Sequence, residues 1–186
     1  MTDEPEFWMR GPVEGIPPLL QPVAHALLQM KRETHEILQG FNDENLWVRP
    51  KGVASVGFHL KHMAGVIDRM FTYAEEKPLS EEQFARLKAE SAEEENGKVS
   101  DLLDALNLTI DEAIRRLGAT DENRLTETRF LGRKKIPVTL TGLLFHSAEH
   151  GMRHLGQMKV TARMVNPDHF LNKNGLTLQN QKNRNA

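Results

Sequence analysis

Histidine is the residue type whose placement in this chain departs furthest from chance. There are eight in 186 residues. His146, His150 and His154 recur at four-residue intervals, and His59 and His62 lie three apart. At this density about 0.3 His-x-x-x-His pairs are expected by chance. The chain has two, sharing His150. Residues i and i+4 of a helix lie about 40° apart around its axis, so two such imidazoles can reach one ion. A third imidazole from a facing helix would complete a three-His set. Such a set leaves a coordination position open, as catalytic zinc sites do. Three neutral ligands also leave the double charge of a divalent ion uncompensated, which lowers the pKa of a bound water or thiol.

These spacings require helices, and the surrounding sequence supplies them. A first helix is expected from Pro18 to about Gln39, with Val23, Leu27, Met30, Thr34, Ile37, Leu38 and Phe41 as its inner stripe and Gly40 as its stop. Ser55 reads as the cap of a second helix running to about Ala74. The charged segment 79–99 begins Ser80-Glu81-Glu82-Gln83, the signature of a short solvated helix. Ser100 or Asp101 is expected to cap a third long helix, whose stripe is Leu102, Leu103, Leu106, Ile110, Ile114 and Leu117. Residues 125–130 and 136–138 flank Gly132 as a small hairpin would. Thr139 or Thr141 opens a fourth long helix to about Val165, ahead of Asn166-Pro167. The fold class is therefore all-α: a four-helix bundle with long connections, in one domain spanning 1–170, followed by a polar, flexible tail at 171–186.

Helical geometry ranks the histidines. On the last helix the apolar face centres near Leu140, Gly151, Met158 and Val165; His154 lies within it, His150 at its edge and His146 beyond it. On the second helix the face contains Met63, Val66, Ile67 and Met70, and periodicity places His59 nearer its centre than His62. By periodicity alone, His59 is slightly preferred as the third ligand. His25 shares an outward face with Gln29, Arg32 and Glu36, and His35 and His169 also read as surface residues.

Composition excludes several alternatives. A net charge of -2 without a basic face argues against nucleic-acid binding. There are no cysteines, so disulfides and thiolate ligands are excluded. The acidic start is not a secretory signal, and no apolar run reaches the roughly 18 residues of a membrane span. A soluble cytoplasmic protein is the expectation. A di-iron carboxylate bundle needs Glu-x-x-His on two helices, and no Glu here precedes a His by three. His-Glu-x-x-His and Gly-x-Ser-x-Gly are absent too.

Two segments resemble the DinB-like (YfiT-like) metalloenzyme family. Ser55-Val56-Gly57-Phe58-His59-Leu60-Lys61-His62 is similar to its second-helix motif, with a serine seven residues before the ligand histidine. Glu149-His150-Gly151-Met152-Arg153-His154-Leu155-Gly156-Gln157 is similar to its last-helix motif, His-x-x-x-His-x-Gly-Gln. Leu46-Trp47-Val48-Arg49-Pro50 resembles the loop before the second helix. The resemblance implies a bundle of non-sequential topology and a zinc or nickel ion held by His62, His150 and His154. It moves the third ligand from His59 to His62. His59, Gln157, Tyr73 and Trp47 become candidates for the pocket or for supporting the ligands, and Gly156 for a close helix approach. A low-molecular-weight-thiol S-transferase or a hydrolase acting on a small molecule is then expected, as a homodimer. The alternative is a non-catalytic, stress-related bundle in which the ion is structural.

Overall fold

The computed structural model describes residues 4–167. Four long helices form the bundle: α1 (Gln21–Leu38), α2 (Val56–Ala74), α4 (Val99–Gly118) and α5 (Leu140–Val165). A short α3 (Glu81–Ala89) lies in the connection between α2 and α4. Strands β1 (Thr128–Leu131) and β2 (Ile136–Thr139) pair antiparallel in the connection before α5. The expected tail and His169 lie outside the described residues.

Local chemistry sets most of the helix ends. The Ser55 hydroxyl accepts from the Phe58 N–H at 3.2 Å, Ser80 and Gln83 form a reciprocal capping box, and Thr139 accepts from the Gly142 N–H. Gly40, with φ +74°, turns the chain away after α1. The start of α4 differs from expectation. It begins at Val99, before Ser100, and its cap comes from far along the chain: the Asp43 carboxylate accepts from the Val99 N–H at 2.8 Å.

The packing order is not the chain order. α1 packs against α4 and α5, and α2 packs against the same two helices. The first two long helices thus occupy opposite corners, and the long connections after α2 and α4 are what this requires. Leu20, Leu27, Met30, Met63, Ile67, Leu106, Ile110, Leu144 and Met158 fill the centre. The close approach expected at Gly156 occurs instead at Gly151. A Cβ there would overlap the buried Met30 side chain, whereas Gly156 is exposed with no atom within 4 Å of its Cβ position. The expected outward face of α1 is partly covered as well. Residues 5–11 lie along it: Gln29 is buried beneath the Phe7 N–H, Arg32 donates to the Pro5 carbonyl at 3.0 Å, and the His25 ring meets the Gly11 carbonyl. No helix among the described residues is long and apolar enough to cross a membrane.

Candidate metal centre

α2 and α5 run side by side, and their seam gathers five histidines. His62, His150 and His154 each place a ring nitrogen within 4.8 Å of the others. His62 Nε2 and His150 Nε2 stand 2.9 Å apart. His154 Nδ1 lies 3.0 Å from His59 Nδ1, and its Nε2 makes no hydrogen bond among the described residues. Phe58, one turn before His62, stacks on that ring at 5.3 Å with only 11° between planes and limits its rotation.

A carboxylate behind His62 orients it further. Glu90 follows the end of α3 and is buried. One oxygen sits 2.7 Å from His62 Nδ1, and the other takes the buried Arg69 guanidinium at 2.5 Å. Burial pushes the Glu90 carboxyl up, but hydrogen bonds from His62 and Arg69, together with the Arg69 charge, outweigh it and hold the group below the usual carboxylate range. An ionised Glu90 holds a proton of His62 on Nδ1 and turns its Nε2 toward His150.

His59, His150 and His154 are biased toward the neutral form. Burial, helped by His62, brings the His59 pKa down to about 4. Burial, followed by His62, His150, His59 and Arg153, brings His154 to about 4 as well. His150 is lowered by burial and then by His62 and His146. Neutral imidazole is the form that ligates metals, so the protein has already arranged the state an ion needs.

The donor set fits a divalent ion on further grounds. At metal–nitrogen bonds of about 2.0–2.1 Å, neighbouring ligand nitrogens lie roughly 2.9–3.4 Å apart, which brackets the His62–His150 separation. His150 Nδ1 is buried with no partner among the described residues, so the Nε2 facing His62 is the ring atom open to a ligand. The three-His set spans two neighbouring helices.

The remaining sequence candidates fall in different places. His59 is 2% exposed and touches the cluster only through His154. His146 is exposed, its ring 5.0 Å from that of His150. Tyr73 lies on the same edge of α2 as His62 but about 16 Å further along, at 1.5 Å per residue. Trp47 packs on another flank of α2, over Gly57 and under the Lys61 ammonium, about 100–140° around the helix from His62. Gln157 is exposed, two turns beyond His150, with no side-chain hydrogen bond among the described residues. Glu149 is committed to an ion pair with Arg153. Sequence reasoning missed Glu90. A usable signal was Arg69, a cation beside Met70 and Ile67, seven residues after His62 and therefore on the same edge. A buried arginine needs a carboxylate, and that carboxylate could also reach the histidine.

A search of curated proteins finds no match. Among solved structures the chain is similar to YfiT from Bacillus subtilis, described as a probable metal-dependent hydrolase with an unusual four-helix bundle topology. The identity is 17%, the TM-score 0.59, and the match covers 83% of this chain and 92% of that one. At this identity the likeness shows the fold alone. The sequence match is independent of that comparison: residues 26–158 fit the profile of the DinB superfamily, and the chain belongs to that superfamily.

Proposed function

We propose that this protein is an enzyme dependent on one divalent ion, zinc or nickel, held by His62, His150 and His154. The observation that carries this reading is the convergence of three imidazoles, one of them fixed by a buried carboxylate, on a single point of the α2–α5 seam. A bound ion would supply a Lewis acid that lowers the pKa of a thiol or water. The chain's own part is to hold the ligands. Glu90 sets the tautomer of His62, His59 supports His154, and Phe58 restricts the His62 ring. No protein carboxylate enters the ligand set, because Glu90 is engaged on the far nitrogen of His62 and Glu149 is paired with Arg153. The uncompensated charge suits a nucleophile that becomes anionic, such as the thiolate of a low-molecular-weight thiol transferred to an electrophile. Hydrolysis of a small substrate uses the same charge on water, and it is the activity attributed to YfiT.

The test has two parts. Protein exposed to zinc or nickel is freed of excess metal and its metal content measured, with one ion per chain expected. The loaded protein is then assayed with thiols and electrophiles and with hydrolysable esters and amides. Absence of a bound ion after millimolar loading refutes the site. A bound ion that raises the melting temperature without turnover, or equal turnover by the His150→Ala variant, refutes the catalytic reading and favours a structural ion.

A further inference from the structure

A cavity beside the metal centre is lined by Glu90 but by none of the histidines. It is a groove of about 580 Å³ between α2, α3 and α4, within the range of small-molecule sites. Its floor is the stripe Leu60, Ala64, Ile67 and Phe71 of α2. Eleven residues at 1.5 Å each give that floor a length of about 16 Å. Ala105 and Leu108 of α4 form the facing wall, and Leu108 stands 72% exposed at the lip. Alanines at 64 and 105 leave open the volume that larger side chains would fill.

The charge around the groove is already satisfied. Each of its three cations has a carboxylate: Lys61 pairs with Glu94, Arg86 with Asp68 and Arg116 with Glu75. Of the remaining acids, Glu90 is held by Arg69 and His62, and Glu112 by Arg115. A charged ligand would lose hydration on entry and find no unpaired counter-charge. An apolar ligand would cover Ala64, Leu102, Ala105 and Leu108, the apolar lining still open to water, at no such cost. We propose that this groove is a binding site for an elongated, uncharged apolar small molecule. The groove borders the metal centre through Glu90 but includes none of its histidines, and the proposal does not depend on a bound ion.

The probe is N-phenyl-1-naphthylamine, an uncharged dye that brightens in apolar surroundings, titrated into the full-length, metal-loaded chain. Saturable binding of one dye per chain is expected. Ala105→Trp, at an exposed helix position, should weaken it at least about tenfold, and Ala64→Phe should do the same from the opposite wall. His150→Ala should leave dye affinity within about twofold. Dodecanol should displace the dye at least about tenfold more effectively than dodecanoate or dodecylammonium. Non-saturable binding, or equal binding by both groove-filling variants, overturns the proposal. Loss of binding in His150→Ala would place the dye at the histidines and overturns it too. So does sedimentation showing a dimer that excludes the dye and dissociates in Ala105→Trp, since a second copy would then be the occupant.

Discussion

Glu90→Gln isolates the carboxylate behind the metal centre while keeping its shape. In the native site its two oxygens accept from two donors, His62 Nδ1 and Arg69 Nη1. Glutamine has one oxygen and one NH2 group, so it can serve one donor and must oppose the other. If it serves Arg69, the imidazole loses its anchor. If it serves His62, a buried guanidinium is left without its hydrogen bond. In both cases the buried Arg69 charge loses its counter-ion. Removing a carboxylate partner from a ligand histidine typically costs 10–100-fold in metal affinity, or about 1.4–2.7 kcal/mol. Breaking a buried ion pair costs about 3–5 kcal/mol of stability in general, and the retained amide should hold this variant toward the lower figure. Zinc affinity is read by competition against a chromophoric chelator, and stability by urea unfolding of metal-free protein. Expected is a loss in both, with circular dichroism unchanged under native conditions. Unchanged zinc affinity in Glu90→Gln, alongside its abolition in His62→Ala, would refute the idea that the carboxylate tunes the ligand.

Other outcomes follow from the same geometry. His150→Ala or His154→Ala should lower zinc or nickel affinity at least about 100-fold, whereas His146→Ala should stay within about threefold; equal losses in all three would show that His146 ligates. Metal-free protein should lose stability on acidification. His59 and His154 have folded pKa values near 4, below the unfolded value, so the unfolded chain binds more protons between about pH 6.5 and 4 and stability falls as pH drops through that window. For the 2%-exposed His59 the full effect is roughly 3 kcal/mol, and a urea midpoint unchanged from pH 7 to 4.5 would contradict it. At Gly57 a Cβ would overlap the Trp47 ring, so Gly57→Ala should destabilise by about 1–2 kcal/mol despite alanine's helix propensity and should shift tryptophan emission to the red; a stabilised variant would show that the ring is not seated there.

The helices were legible because their signals are local. The Leu102–Leu117 stripe, the Ser55 and Thr139 caps and the Gly40 stop each act within a few residues, and each stands where the pattern placed it. The start of α4 was misread because its cap is Asp43, more than fifty residues away. The site divides in the same way. His150 and His154 share a helix, so spacing alone put them on one edge. Choosing between His59 and His62 required the direction of a neighbour. Periodicity points toward the bundle centre, and it ranked His59 as the more buried ring, as it is. The cluster lies instead at the seam between two helices, off that axis, where His62 reaches it. Glu90 sits in a segment crowded with acids, and nothing in its sequence neighbourhood separates it from Glu93, Glu94 or Glu95.

Connections between helices are ordinarily the places where a fold tolerates insertion and loss most readily. The segment from Glu75 to Lys98 cannot behave that way. Gln83 fastens it to Asp68 and Thr72, Arg49 and Lys61 hold the carbonyls of Ser91 and Ala92, and its Glu90 returns to a histidine on the helix the chain has just left. One residue removed from α3 would swing Glu90 by about 100°. The two long helices that carry the histidines are therefore not a portable unit. Transplanted into another bundle without this stretch, they would bring the histidines but not the group that aims the first of them.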